Sequence, residues 1–492
     1  MLYVITAYEF NVKGRSRPNA LLYKLIEHGE FREGEIINGK ANLEKYLGDI
    51  TQIYINQRVL KNNVEVKYYA GAQNEDGTYP VTIVISVEDS WNIIALPRPY
   101  YKNNVFDLTV KARDYNFLGT MNPLRIDLGY NYNENKQHSL LFGVFSNMPF
   151  KAFGYYWNLT FDNTIQYRVD APFYYQNKTG LSMELPFYTT TFTFGFDEKF
   201  NLNEENPDWA QDAGYGIYQD DLYMSSRPYI SWKIPTGIIS TFGELTYTPV
   251  ISATFNHELP RSPISDFLKG PFLNFSHTLG LEKIDWHANY REGLSVSIGN
   301  SYQYDFNNML NEVSFNTTLI GHYIVSDFFA ISTRLMYNYW FFSSHMREGE
   351  YASYYLRGIS DKAFTAYQMF SLNMDFPFRL FVFTPSKWFN TRKLSFFDFE
   401  MHASPIIDLA VYYQRKYTDT DDGYTSKGTI MYYPGKIAAT GGIEFVIFPA
   451  FMRNLYVRLG FAINLKEFVT ERPLRIPDGD NREIYLIMGH FY

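Results

Sequence analysis

The chain has 492 residues, 19% of them aromatic (43 Tyr, 42 Phe), no cysteine and a formal net charge of -8. The acidic balance excludes the basic surface that a nucleic-acid partner needs, and the missing cysteine excludes disulfides and thiolate metal or redox sites. Mean hydropathy is -0.27 and no run of about 18 apolar residues occurs, which excludes membrane-spanning helices. Aromatic richness without long apolar runs is what a transmembrane β-barrel requires, because only one face of each strand meets lipid and Tyr and Trp gather at the interfaces. Met1-Leu-Tyr-Val-Ile-Thr6 lacks the basic start and apolar run of a signal peptide. The numbered chain is therefore expected to be a mature or trimmed form of an exported protein.

Residues 1–90 read as a small α+β module. Tyr8-Glu-Phe-Asn-Val-Lys-Gly14 is a strand ending in a turn, and Pro18 opens a helix with Leu21, Leu22, Leu25 and Ile26 on one side. Leu43, Tyr46, Leu47, Ile50, Ile53 and Tyr54 form the apolar stripe of a second helix. Two alternating strands follow, Val64–Tyr68 and Val81–Val87, separated by the turn-prone Asn74-Glu-Asp-Gly77. The order is β-α-α-β-β.

From residue 91 to 492 alternation takes over. In Leu124-Arg-Ile-Asp-Leu-Gly-Tyr-Asn-Tyr132 one face is wholly apolar or aromatic and the other carries Arg125, Asp127 and Asn131. Leu455–Leu465 divides the same way, with Arg458 and Asn464 on the polar face. Isolated charges mixed with Gly and Asn suit a wet barrel lumen better than the solvent face of a sandwich. The fold class is mainly β: a transmembrane antiparallel barrel of about sixteen strands, the alternating runs counting to about sixteen to eighteen. Short turns (Ile234–Gly237, Val325–Asp327) are expected at one end. Long loops (201–221, 257–275, 414–436) are expected at the other.

Together these pieces resemble the BamA-type outer-membrane assembly and secretion superfamily, the bacterial surface-antigen proteins. The module at 1–90 is similar to that family's periplasmic POTRA domain, including Tyr54…Leu60…Val64-Glu-Val66. Asp114-Tyr-Asn-Phe-Leu-Gly-Thr120 looks like its first periplasmic turn. Leu356-Arg357-Gly358-Ile359 occupies the place of the family's Arg-Gly loop tip, which folds back into the lumen, here as part of a loop around 343–362. The resemblance implies an acidic partner in Phe396-Phe-Asp398-Phe-Glu400: Asp398 first, Glu400 second. A bare Arg-Gly dipeptide would otherwise read as a solvent-exposed turn, with Asp398 merely lining a pore. In a wet lumen, removing either partner is expected to cost only about 1 kcal/mol.

A barrel closes where its first and last strands meet, here Trp91–Tyr100 and Glu483–Tyr492, the latter carrying Tyr485, Phe491 and Tyr492. Pro97 and Pro99 lack N–H donors and face the same neighbour, so they mark either a poorly paired seam or a bend entering the barrel. No enzymatic motif, cofactor site or metal site is read. Nine scattered histidines form no catalytic pattern. The resemblance implies a bacterial outer-membrane protein with its N-terminal domain in the periplasm, which inserts β-barrel clients by strand templating at the seam. Its partners would be unfolded outer-membrane or secreted polypeptides, the lipid bilayer and accessory lipoproteins, with no nucleic acid. A polypeptide translocator of two-partner-secretion type and a passive porin remain alternatives.

Overall fold

The structure, a computed structural model, describes residues 1–102, 105–132, 138–169, 172–204, 222–259, 262, 264, 268–342, 349–359, 363–421, 426–471 and 481–488. The N-terminal domain comprises β1 (Leu2–Lys13), α1 (Pro18–Glu27), β2 (Ile36–Asn38), α2 (Lys40–Asn56), β3 (Glu65–Ala70) and β4 (Thr78–Glu88). Its sheet order is β2-β1-β4-β3, with β1 and β4 parallel and the other pairs antiparallel. Pro18 sits in the first turn of α1, where its missing N–H costs nothing. The apolar stripes of both helices bury Leu21, Leu25, Leu43 and Ile50 against Ile5, Val81, Ile83 and Ile85. Beyond the expected elements the domain has one more strand, β2. Its three residues are too few for a periodic signal.

The second sheet closes on itself. Its strands begin with β5 (Ile93–Lys102), β6 (Val105–Asp114), β7 (Leu124–Tyr132), β8 (His138–Ala152), β9 (Tyr155–Arg168) and β10 (Tyr174–Phe187). They continue with β11 (Thr190–Leu202), β12 (Leu222–Ser240), β13 (Gly243–Glu258), β14 (Phe272–His287), β15 (Tyr290–Asp305), β16 (Leu310–Ser326) and β17 (Phe329–Phe342). A small hairpin, β18 (Glu350–Tyr351) with β19 (Thr365–Ala366), precedes β20 (Gln368–Asp375), β21 (Phe378–Phe383) and β22 (Phe399–Tyr413). Another hairpin, β23 (Arg415–Asp421) with β24 (Ser426–Tyr432), stands between β22 and the last three strands, β25 (Lys436–Pro449), β26 (Val457–Asn464) and β27 (Arg482–Met488). Nineteen segments make the circle, and β27 neighbours β5.

One expectation is corrected and another made definite. The barrel lies at the upper end of the expected range of strands. Since β20 and β21 both lie between β17 and β22, interrupted only at Phe376-Pro377, the nineteen segments make eighteen passes. And Ile234–Gly237 is not a turn. Strand β12 runs through it with a register shift between Pro235 and Ile239, and reverses only at Thr241-Phe242. Proline and glycine there mark an irregular strand end.

The faces divide as the alternation requires. Leu128, Leu181, Ile230, Ile251, Leu409 and Leu459 are exposed on the outside, whereas Asn373, Ser404, Asp408, Thr440, Glu444 and Arg458 are buried within. The apolar surface therefore looks out and the charged surface in, the reverse of a soluble sandwich. At the end nearest the N-terminal domain, two-residue turns join β8 to β9, β10 to β11, β12 to β13, β14 to β15 and β16 to β17. Phe153, Tyr188 and Ala288 adopt left-handed φ in them, as hairpins of this length demand.

Candidate functional site

The segment 349–359 enters the barrel from the end opposite the N-terminal domain and packs against the wall. Leu356 and Ile359 are 2% and 4% exposed, and they cluster with Met369 of β20, Ala410 of β22 and Ala438 of β25. Small wall residues leave the room this loop tip fills. Between the two apolar anchors lies Arg357, also 2% exposed.

Arg357 is held by the wall on several sides. Its Nε donates to Asp408 Oδ2 (3.0 Å) and its second terminal nitrogen to Asp408 Oδ1 (2.5 Å), a bidentate grip. The other terminal nitrogen donates to Asp375 Oδ1 (2.5 Å) and Glu444 Oε1 (3.2 Å). Its backbone N–H adds a bond to Asp408 Oδ2 (2.8 Å). A planar fork with five donors can serve three carboxylates at once, which an ammonium could not do in fixed geometry. Arg458 of β26 gives Glu444 a second cation, through Nε to Oε2 (3.1 Å) and a very short bond to Oε1.

The network reaches the last described strand. Glu444, Gly460 and Tyr485 lie directly opposite one another on β25, β26 and β27. A Cβ at position 460 would sit 2.2 Å from the Tyr485 ring. The glycine thus lets the ring pass over it, and the Tyr485 hydroxyl donates to Glu444. Gly358 N–H donates to Glu483 Oε2 of the same strand (3.1 Å). Its φ is +85° and an added Cβ would lie 2.7 Å from the backbone nitrogen of Ile463, so the second residue of the pair must be glycine on two counts. The loop tip is therefore tied to β20, β22, β25, β26 and β27, five neighbouring positions around the wall.

The partner expected from the sequence is not the one found. Asp398 accepts from Ser386 N–H (3.0 Å) and, through a very short bond, from the Ser386 hydroxyl. Glu400 lies 2.6 Å from His402 Nε2. Asp398 and Glu400 share the parity of Asp408, but Asp398 precedes Asp408 by ten residues, about 33 Å of extended chain. Arg357 arrives from the far end and meets the middle of the wall. A signal for the true partners was present: Asp408 and Glu444 are lone charges in the apolar runs Pro405-Ile-Ile-Asp-Leu-Ala410 and Gly442-Ile-Glu-Phe-Val446. A single carboxylate in such a strand must face inward and needs a cation.

At the closure, Pro97 and Pro99 lie within β5, opposite Val110 and Leu108 of β6, and not in a bend before the strand. Tyr485 points into the lumen. Phe491 and Tyr492 lie outside the described residues, as do 205–221 of the loop expected at 201–221 and the flanks 343–348 and 360–362 of the loop around 343–362.

Among solved structures the chain is similar to CdiB from Acinetobacter baumannii, with 11% identity over 99% of this chain and 73% of that one, at a TM-score of 0.48. It is also similar to BamA from Haemophilus ducreyi lacking POTRA domains 1-3 (12% identity, 98% and 83% covered, TM-score 0.37) and to CdiB from Escherichia coli (9%, 99% and 90%, 0.38). No family model matches the sequence, and no curated protein does. Likenesses this distant add nothing to the strand pairing above, on which the fold rests.

Proposed function

We propose that this protein is a bacterial outer-membrane barrel that inserts β-barrel clients into the membrane by strand templating at its seam. In this reading residues 1–90 are a periplasmic POTRA-type domain and residues 91–492 span the bilayer. The observation that carries it is the fastening of the Arg357 loop to a continuous stretch of wall ending at β27, the strand that closes on β5. Withdrawal of the loop would take Gly358 from Glu483 and would leave the Glu444–Tyr485 contact with Arg458 as its sole cation. The loop thereby stabilises one side of the closure. On the other side, β5 carries two prolines that cannot donate to a neighbour.

A client strand in hydrocarbon must satisfy every backbone N–H and C=O. A free edge at the β27–β5 junction would let it do so by pairing, with no nucleotide, cofactor or enzymatic step, since folding of the client releases the free energy. The partners are unfolded outer-membrane or secreted polypeptides and the surrounding lipid, with accessory lipoproteins assisting delivery. Depletion in the native host separates the alternatives. Broad loss of outer-membrane barrels is expected; loss of a single secreted product would replace the insertase with a translocator, and loss of solute uptake alone with a porin.

A further inference from the structure

The connection between β21 and β22 differs from the two-residue turns at the same end of the barrel. It spans 384–398 and contains a short helix, α3 (Pro385–Trp388), and a 3-10 turn (Arg392–Phe397). Its surface is aromatic: Trp388, Phe389, Phe396 and Phe397 are 58–69% exposed. It is also basic. Lys387, Arg392 and Lys393 occur between Thr384 and Phe397 with no acidic residue, in a chain whose net charge is -8. The acidic group that ends the segment, Asp398, is turned inward and engaged with Ser386.

The aromatic surface continues that of the outer wall. Trp388 meets Phe383 edge-on (5.0 Å between ring centres), and Phe383 and Phe381 both pack on Phe399. Phe399 has the same parity as Ile407 and Leu409, which face outward on β22. On the other side Phe396 stacks on Phe451 of the β25–β26 connection at 4.3 Å. The segment is therefore a fixed ledge, joined to the outward apolar belt and carrying exposed Lys387 and Lys393 beside its rings. Indole and phenyl groups favour the boundary between acyl chains and headgroups. Lysines beside them reach up to the phosphates, where an anionic surface attracts them.

We propose that residues 384–397 form a membrane-interface anchor that engages anionic phospholipid headgroups in the leaflet on the N-terminal-domain side. The inference rests on the barrel spanning a bilayer. It adds that lipid contact on this sector of the circumference selects for charge.

The chain has no cysteine, so single variants Phe389→Cys, Leu128→Cys and Tyr69→Cys of the full chain can each carry a polarity-sensitive fluorophore. They would be reconstituted in vesicles of phosphatidylcholine and phosphatidylglycerol in which either lipid is brominated. The Leu128 site reports the outer wall and the Tyr69 site reports water. The Phe389 site is expected to be blue-shifted relative to Tyr69 and quenched more by brominated phosphatidylglycerol than by brominated phosphatidylcholine. Lys387→Gln with Lys393→Gln is expected to abolish that difference. Quenching at Leu128 with Phe389 still reporting water would overturn the anchor and leave the barrel reading standing, marking the ledge as a protein-facing surface. Equal quenching by both lipids would refute the selectivity. No quenching at Leu128 would refute the membrane placement of the barrel, and the anchor with it.

Discussion

Arg357 shows how much one side chain can organise when its surroundings exclude water. It and Asp408 are almost wholly buried, with side-chain exposures of 2% and 0%. The screening that would hold a lumenal pair to about 1 kcal/mol is therefore absent. Removing the cation leaves Asp408, Asp375 and Glu444 facing one another with Arg458 alone, the situation in which a broken buried pair costs about 3–5 kcal/mol. Arg357→Ala is accordingly expected to release the loop while the eighteen passes of wall stay paired. Limited proteolysis should cut within 349–359 in the variant only, and the folded barrel should keep its fast migration on unboiled gels. Gly358→Ala should release the same loop, because its Cβ collides with β26 whatever Arg357 does. If either variant keeps the loop protected, the cluster does not hold it. The sequence made the Arg-Gly pair conspicuous and parity identified the lumenal face. It could not reveal how deep into the barrel the loop reaches, because depth depends on how far an irregular segment folds back. Periodicity carries no such information.

Among the elements, strands were legible wherever one face is apolar and the other is not. They became illegible where proline or glycine sits inside them, as at Pro235–Gly237 in β12 and Phe376-Pro377 between β20 and β21. The connection after β21 was the least legible, since nothing in Pro385–Phe397 alternates. Asp398 explains its order. By accepting from the N–H and hydroxyl of Ser386 it pins α3 against the start of β22, while its own carbonyl receives Ala450 N–H (2.8 Å) from the next connection. Hydrogen bonds to a charged group contribute about 1.5–3 kcal/mol. Asp398→Ala should thus loosen the ledge by that order, seen as faster tryptic cleavage at Lys387 and Lys393, with the 349–359 loop as protected as before. Loss of loop protection in this variant would restore Asp398 as the partner of Arg357. In the N-terminal domain, Glu88 at the end of β4 binds Lys61 at 2.5 Å and Lys13 at 3.2 Å. The hydrogen bonds from Lys61 and then Lys13 lower its carboxyl pKa to about 2. Because the folded value lies below the unfolded one, this contribution is complete above about pH 4.5 and disappears as the pH falls toward 2. Thermal unfolding of the domain should therefore show a decline over that window, and Glu88→Gln should make it shallower, the rest belonging to groups such as Asp76, whose carboxyl pKa the hydrogen bonds from Thr78 also lower.

For the molecule as a whole, the N-terminal domain is clasped to the barrel at four places around its mouth. Arg15 grips Asp114 through both terminal nitrogens (3.0 and 2.9 Å), and Asn116 in the β6–β7 connection donates to Ser16 and Asp89. Tyr23 of α1 donates to Glu184 near the end of β10 (3.1 Å). Asn56, closing α2, both donates to Asp285 (2.9 Å) and accepts from Trp286 N–H (2.9 Å). Arg58 lies 4.1 Å over the Trp286 ring and donates to the carbonyls of Ala288 and Arg453, while Arg453 returns two bonds to Leu60 and Ile55. Contacts at the β6–β7, β14–β15 and β25–β26 connections and at β10 surround much of the circumference, so the domain lies across the opening. This arrangement was beyond the reach of the sequence: each contact joins two segments by one or two polar side chains, and no periodicity links Asn56 with Asp285. Polar clasps of this kind suit a domain that detaches, since their donors and acceptors can be repaid by water. If the protein inserts clients as proposed and they enter past this domain, undocking precedes each cycle. A disulfide between Asn56→Cys and Asp285→Cys should then arrest insertion of a client barrel by the reconstituted protein, and reduction should restore it. The single variants, which cannot cross-link within the chain, should stay active. Full activity of the oxidised double variant would mean that clients reach the seam from the bilayer side with the mouth still covered.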